Sequence, residues 1–358
     1  MAIEIRLLKD DEPELANNFF NEIYRSHRSI EDFRWEFING PKGKAIYVIA
    51  VDADERSFVK IVGIQCAISL ELVSADGKKI LTAKSEDTLV HPGYRGQKIF
   101  ERMYDLLFEE CRRAGIKYIW GFTPAQKAFE RLGFEIPFKT GQALLVLKPA
   151  KAYNHIVKLN PQNRWKEKLK IAGLTGLSYA SGITRFFLST ANTTFDEIKA
   201  PIDKTGTIKN FYTNSGLYFL LHDNAYLKWR LSEHPLGNSY KNFTGKISDQ
   251  LSADIIVSAR DESGYIEQML FSPELSIEDR LKFLKKSIEA LSGYGAAIIR
   301  VLCFPNNRTM KEETQLLKKA GFTYLDRGNY FVWKSLDQAN SVSVDKIFFS
   351  RLFTQGIT

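Results

Sequence analysis

Residues 89–100 read Leu-Val-His-Pro-Gly-Tyr-Arg-Gly-Gln-Lys-Ile-Phe, and their order decides how the first part of the chain folds. The apolar pair Leu89-Val90 ends a strand before Pro92, a turn runs through Pro92-Gly93-Tyr94-Arg95-Gly96, and an amphipathic helix begins near Ile99. A strand opening into a helix N-terminus presents amides that lack intrahelical acceptors, and the helix dipole adds positive potential there. Such a junction is suited to an anion. Upstream, residues 3–7 read as an edge strand, 12–28 as a helix with Leu15, Phe19, Phe20 and Ile23 on one face, and 47–51, 59–72 and 80–90 as strands. Downstream, the helix over 99–114 stops at Gly115. A buried strand from Tyr118 then turns at Thr123-Pro124 into a short helix ending in Leu132-Gly133-Phe134, where Gly133 takes positive φ and Phe134 folds back on the last turn.

The chain also repeats itself. Phe33-Arg34-Trp35-Glu36-Phe37 precedes Gly40-Pro41, and Leu227-Lys228-Trp229-Arg230-Leu231 precedes His234-Pro235, with six residues from Trp to Pro in both. Gly133-Phe134 follows Trp35 by 98 residues, and Gly321-Phe322 follows Trp229 by 92. A strand comes next in each half, at 144–147 and at 330–333. Self-similarity of this length, in matching order, implies duplicated units. The second unit carries strands at 255–259 and 265–271, a helix over 277–291, a strand over 296–304 and a helix over 311–320.

The 89–100 stretch resembles the acyl-CoA-binding loop of the GNAT acetyltransferase superfamily, a hydrophobic strand followed by V-x-P-x-x-R/Q-x-x-G-x-G/A and a helix. Leu132-Gly133-Phe134, with Gly133 placed 38 residues after Arg95, is similar to the end of that family's pantetheine-binding helix. The resemblance, together with the repeat, implies an α+β protein of two tandem GNAT-like domains, each a mixed and mostly antiparallel sheet flanked by helices, as in bacterial two-domain GNAT proteins. The expected boundaries are 1–150 for the domain with the acyl-CoA loop, 151–195 for a helical connector, and 196–358 for a second, degenerate GNAT-like domain. There Leu270-Phe271-Ser272-Pro273-Glu274 stands in place of the loop, and Glu274 and Asp279 bring negative charge to the helix start.

The resemblance further implies acetyl-CoA as co-substrate, no metal, and a cofactor site made by Leu89, Val90, Arg95, Gly96, Gln97, Lys98, Ile99 and Phe100. The amides of the loop would hold the diphosphate, and backbone N–H groups near Leu89 and Val90 would polarise the thioester carbonyl. Two residues depart from the family pattern in the loop. Lys98 and Phe100 occupy the two glycine or small positions. Phe100 can turn inward, whereas Lys98 either supplies a cation to the phosphates or stands in their groove. A third departure is Phe129, at the position where many GNAT enzymes carry a tyrosine that protonates the leaving thiolate.

Acetyl transfer to an amine needs a base near the thioester. Family bases often lie on the strand before the loop, where this chain has Glu86 and Asp87. Alternation puts these on opposite faces, Glu86 with Lys84, Thr88 and Val90. The parity favours Glu86, and a β-bulge would reverse it, so both are candidate catalytic residues.

The implied activity is an acyl-CoA-dependent N-acyltransferase acting on a small amine. A looser resemblance of Leu227–Pro235 to GNAT-like proteins of surface-polysaccharide synthesis suggests an amino sugar. The alternative is a catalytically inert GNAT-like module for CoA binding or protein interaction. The 358 residues are 44% hydrophobic and 26% charged, an ordinary globular composition, and the net charge of +8 is scattered, so it suits an anionic ligand without indicating nucleic acid. A tRNA-using transferase of the same tandem type would need a concentrated basic surface. Residues 164–185 join a basic stretch to an uncharged run of 14 residues, too short to span a bilayer, and read as a connector helix, with contact to a membrane surface as the other reading. Three cysteines without metal-ligand or paired spacing, and an N-terminus that runs quickly into Asp10-Asp11-Glu12, point to a cytoplasmic protein. Nothing in the sequence specifies the oligomeric state.

Overall fold

The computed structural model of the protein describes residues 3–53, 59–159, 165–183, 193–198, 203–305, 310–337 and 342–354. The first repeat runs β1 (Ile3–Leu7), α1 (Pro13–Tyr24), α2 (Ile30–Phe33), β2 (Ile46–Asp52), β3 (Ile61–Ser74), β4 (Lys79–Val90), α3 (Ile99–Arg113), β5 (Tyr118–Thr123), α4 (Gln126–Arg131), β6 (Glu135–Lys139) and β7 (Gly141–Val146). Two helices follow, α5 (Pro149–Leu159) and α6 (Trp165–Ile183). The second repeat runs β8 (Thr193–Ile198), α7 (Thr205–Tyr212), β9 (Tyr218–Leu220), α8 (Asn224–Leu227), β10 (Tyr240–Ile247), β11 (Gln250–Arg260), β12 (Ser263–Phe271), α9 (Ile277–Gly293), β13 (Ile298–Cys303), α10 (Met310–Lys319), β14 (Thr323–Leu325) and β15 (Tyr330–Ser335).

Local chemistry sets the element ends that matter for the site. Ser29 caps α2 by accepting from the Asp32 amide, and Asp32 accepts from the Ser29 amide in return. The helix then widens into a five-residue π-helix, Arg34–Ile38, closed by the bond from Asn39 N to Arg34 O at 2.8 Å. The second repeat does the same: Asp223 caps α8, a π-helix covers Lys228–Ser232, and Glu233 N bonds Lys228 O at 2.8 Å. At the end of α4, Gly133 has φ 73°, and Phe134 N reaches Phe129 O at 3.1 Å. This is the helix stop expected from Leu132-Gly133-Phe134.

Two mixed sheets result. One has the order β1-β2-β3-β4-β5-β15-β6, with β9 added beside β3; the other is β14-β7-β13-β12-β11-β10-β8. The repeat order alone expects the strand at 144–147 to close the first sheet and the one at 330–333 to close the second. The pairing reverses both: β7 lies between β13 and β14, and β15 lies between β5 and β6. Cross-strand aromatic contacts explain the preference of β15, since Trp333 stands opposite Trp120 and stacks on Tyr118 at 4.5 Å, while Phe331 stands opposite Phe122 at 5.2 Å.

The chain accordingly divides into two compact units that are not contiguous in sequence. The first takes in residues up to 137 with 218–235 and 329–343; the second takes 138–217, 236–328 and the residues from 344 on. In the first, Met103, Tyr104, Leu107, Ile119, Phe129 and Val332 belong to one buried cluster between α3 and the sheet. In the second, Ile255, Val257, Phe283, Leu284, Leu291 and Ile299 do the same for α9. The stretch expected as a helical connector holds α5 and α6, and it gives way to the edge strand β8 at Thr193. Ser178 on α6 accepts from Val146 N and donates to Leu144 O, both at 3.2 Å, which ties the helix to β7. Arg164, Thr184 and Arg185 lie outside the described residues. Among the described residues, no helix is long and apolar enough to cross a membrane.

Candidate active site

β4 is the axis of the site. It pairs antiparallel with β3 along its length, but its parallel pairing with β5 covers only Thr82, Ala83 and Lys84, opposite Tyr118, Ile119 and Trp120. Residues 85–90 run on past that ladder towards the loop. Across β3, Glu86 pairs with Cys66 and Leu89 with Ile64, so Asp87 and Thr88 together oppose Gln65 alone. This is a β-bulge, and Asp87 sits in it at φ 47°. A left-handed conformation costs a non-glycine residue about 1–2 kcal/mol, so the bulge must be held by its surroundings.

Arg28 holds it. Its guanidinium donates to both Asp87 oxygens, Nη1 to Oδ1 at 3.0 Å and Nη2 to Oδ2 at 2.8 Å, and the Tyr47 hydroxyl donates to Oδ2 at 2.8 Å. Arg28 in turn donates from Nε to Asn17 at 2.7 Å and lies 3.8 Å from the centre of the Phe20 ring. Burial opposes the charge on Arg28, but Asp87 outweighs it and keeps the guanidinium firmly protonated. With side-chain exposure of 7%, Asp87 is committed to this anchor. Glu86 has 33% side-chain exposure and an ion pair with the buried Lys84, two residues back on the same face. The two sequence candidates therefore occupy different environments: Glu86 opens to solvent, and Asp87 does not.

A third carboxyl, which the sequence reading passed over, joins them. Glu36 lies on the first π-helix, is 8% exposed, and comes within 3.9 Å of Arg28. Burial, and then the charges of Glu86 and Asp87, push its carboxyl up to about 8, against the weaker opposing pull of Lys84 and Arg28. Its sequence signal lies in Phe33-Arg34-Trp35-Glu36-Phe37, where one acid stands between two large aromatics in a segment that otherwise marks the repeat. Cys66, buried beside the three carboxyls, is pushed up by burial and then by Asp87, Glu86 and Glu36, so it is no thiolate. Tyr24 is raised by partial burial and then by Asp87 and Glu86.

The loop has the expected course. His91 N bonds Val62 O at 2.8 Å, and its ring Nδ1 accepts from Gly93 N at 3.1 Å. Pro92–Tyr94 make one 3₁₀ turn, with the Tyr94 hydroxyl donating to Asp52 at 2.6 Å. Gly96 then takes φ 84° and Lys98 φ 57°, and α3 starts at Ile99 without a capping side chain. Arg95, Gly96, Gln97 and Lys98 are exposed. The other four expected cofactor residues direct their side chains to the core: Leu89 and Ile99 are buried, Val90 packs against the same cluster, and Phe100 meets Tyr104 at 5.0 Å and Phe129 at 5.8 Å. Val90 and Phe100 remain partly exposed. Phe129 is buried with its ring 5.7 Å from that of Tyr104 on α3, whose hydroxyl lies 2.8 Å from Ser85 Oγ and 3.4 Å from Thr88 Oγ1.

The second unit repeats the bulge and changes the loop. Val257 pairs with Ile266 and Ile256 with Gln268, leaving Glu267 as the extra residue of β12; its carboxylate accepts from Ser258 at 2.6 Å and Arg351 at 2.5 Å. At the start of α9, Ser276 accepts from the Asp279 amide and donates to the Asp279 carboxylate at 2.7 Å. That helix end is filled by its own side chains.

Residues 4–136 match the family described as the acetyltransferase (GNAT) domain. No curated protein sequence matches the chain. Among solved structures the fold is similar to a probable N-acyltransferase from Enterococcus faecalis V583, at 10% identity and TM-score 0.63, over 94% of this chain and 73% of that one. It is similar to a tandem GNAT protein from the clavulanic acid biosynthesis pathway, at 12% identity and TM-score 0.56, over 95% and 100%. N-Myristoyltransferase from Saccharomyces cerevisiae aligns at 13% identity and TM-score 0.58, over 92% and 78%.

Proposed function

We propose, on the premise that residues 4–136 match the acetyltransferase (GNAT) domain, that the protein is an acyl-CoA-dependent N-acyltransferase, using acetyl-CoA and a small amine. The observation that carries this reading is the continuity of three features on β4: a ladder with β5 that ends at Lys84, a carboxyl cluster at the bulge, and an uncapped helix N-terminus beyond the loop. The first exposes strand backbone to a thioester, the second offers a base, and the third offers amides to a diphosphate.

In the proposed reaction the amine nitrogen attacks the thioester carbonyl, a C–N bond forms, and the C–S bond breaks. Of the two protons that nitrogen loses between ammonium and amide, one passes through the carboxyl cluster to solvent and the other ends on the CoA thiolate. Asp87 is spoken for by Arg28 and Tyr47, and its work is to fix the bulge. Glu86 and Glu36 are the proton-handling groups. Phe129 has no proton to give, and the Tyr104 hydroxyl stands on the same wall. An amino sugar is one acceptor of this kind; a fungal enzyme region of similar fold, at 12% identity and TM-score 0.56, is described as a glucosamine N-acetyltransferase.

Calorimetric titration of the full chain with acetyl-CoA tests the reading. A single site should appear, and the melting temperature should rise by mass action, equivalent to about 2.7 kcal/mol at a hundredfold excess over Kd. No heat and no shift at about millimolar acetyl-CoA, where even a weak site binds, would leave an inert module as the better account.

A further inference from the structure

Helix α6 is seated with its hydroxyl-bearing side inward. Thr175 and Ser178 are 3% and 0% exposed, Ser178 is bonded to β7, and Leu174 packs against the cluster of Leu144, Val146 and Ile298. The Thr175 hydroxyl is satisfied within the helix, donating to Ile171 O at 3.0 Å and to Ala172 O at 2.9 Å. The face turned to solvent is apolar: Leu169, Gly173, Gly176, Leu177 and Ala180 recur there at helical spacing, and all five are exposed. Leu177 at 72% and Leu169 at 61% are the two most exposed large apolar side chains among the described residues. A helix that only joins two parts of a globular chain has the reverse polarity. The charges of α6 need a reason too. Lys168 and Lys170 are exposed and lie about 100° to either side of Leu169. From Trp165 to Ile183 the sequence carries three lysines, all in the first two turns, and one acid, Glu167, which pairs with Lys170 at 2.9 Å. Cations at a helix N-terminus oppose the helix dipole, so these lysines do not serve the helix itself. They suit an anionic partner.

We propose that this face of α6 rests on an anionic lipid bilayer, with Leu169 and Leu177 entering the acyl boundary and Lys168 and Lys170 set among the headgroups. The helix lies on the surface and does not cross it, since it is neither long nor apolar enough to span. Tyr179, 37% exposed, adds an amphipathic ring of the kind that sits at headgroup level. Charge and area both favour lipid over a second copy of the chain. Two such faces paired in parallel would bring their lysines together, whereas acidic headgroups neutralise them. The arc is also a single helix wide with two large side chains, short of the roughly 800 Å² that each partner gives a stable dimer. A bilayer sets no such minimum, because binding grows with each apolar group inserted and each cation neutralised. The attachment is independent of acyl transfer and leaves the β4 site as described.

Flotation of the full chain with vesicles tests this, using phosphatidylglycerol mixed with phosphatidylcholine in about equal parts, and phosphatidylcholine alone. The chain should float with the anionic vesicles at about 0.1–1 mM lipid, less so as salt is raised, and at least about tenfold more weakly with the neutral ones. Replacing both leucines, Leu169→Gln with Leu177→Gln, keeps the charge and should weaken flotation at least about tenfold. The melting temperature of that variant should match the wild type, because both side chains are exposed. Lys168→Gln and Lys170→Gln should each weaken flotation about fivefold. The proposal is overturned if the chain stays unbound at about 5 mM anionic lipid. It is overturned equally if the double leucine variant floats like the wild type, since attachment would then be by scattered charge alone. Sedimentation velocity supplies the remaining outcome: a wild-type dimer that the leucine variant dissolves would assign the face to a second copy of the chain and overturn the lipid assignment.

Discussion

Trp35 and Trp229 stand at equivalent places in the two repeats, and they hold each other. Their rings stack with centroids 5.0 Å apart and planes 14° from parallel. Trp35 Nε1 donates to Trp229 O at 2.8 Å, and Trp229 Nε1 donates to Trp35 O at 2.9 Å. Each tryptophan lies on its own π-helix, and both belong to the first compact unit, so the second repeat lends that unit its Trp–Pro segment as well as β9 and β15. The contact also fixes the helical turn that carries Glu36, one residue after Trp35.

Trp35→Phe or Trp229→Phe should each cost roughly 2 kcal/mol, because each leaves one buried carbonyl without its donor and trims the stack. The double variant should lose less than the two single losses together, by about 1 kcal/mol, since each ring is half of the other's site. Urea unfolding of the four proteins measures this, and strict additivity would show that the reciprocal geometry carries no energy.

Lys98 occupies a left-handed backbone position at the start of α3 that glycine adopts freely. Lys98→Gly should therefore raise stability by roughly 1 kcal/mol. The same change should weaken acetyl-CoA by roughly 1–2 kcal/mol, and Lys98→Glu should weaken it further through repulsion. Paired melting and titration experiments read both effects. Tighter binding by the glycine variant would mean that the lysine obstructs the phosphate groove.

Asp87→Ala should destabilise by about 3–5 kcal/mol, since it strands the buried Arg28 and puts alanine in a left-handed bulge. Asp87→Asn should cost clearly less, because asparagine tolerates that backbone and keeps an oxygen for Arg28. Chemical denaturation distinguishes the two; equal losses would argue that the charge, and not the bulge, is what the residue supplies.

Burial and the neighbouring acids push the Glu36 carboxyl up to about 8 in the folded protein, above the ordinary carboxylate range of the unfolded chain. Between those values the folded chain binds the extra proton, so stability should fall as pH rises from about 4.5 to about 8, and Glu36→Gln should remove that slope. The acid limb of kcat/KM should follow the same ionisation, with activity rising through about pH 8. A wild-type profile that superimposes on that of the glutamine variant would remove Glu36 from the proton path.

Acetyl-CoA should bind once per chain. In the second unit Ser276 and Asp279 already satisfy the α9 terminus, and Glu278 adds a further negative charge to its first turn. A measured stoichiometry near two would contradict this.

By itself the sequence determined what is local. The strand–turn–helix at Leu89–Phe100, the glycine stop at Gly133 and the duplicated Trp–Pro segments each depend on residues within one or two turns of one another, where backbone preference and capping dominate. They sufficed to identify the domain type and to name Glu86 and Asp87. What only the tertiary structure decided is long-range. Whether β7 or β15 closes a given sheet depends on aromatic partners about two hundred residues away, and period-two patterning is the same in either sheet. The different roles of Glu86 and Asp87 hang on a bulge and on Arg28, which lies 59 positions before Asp87. Glu36 left the ordinary carboxylate range only when folding buried it beside two other acids, because a pKa belongs to the surroundings of a side chain and not to its place in the chain.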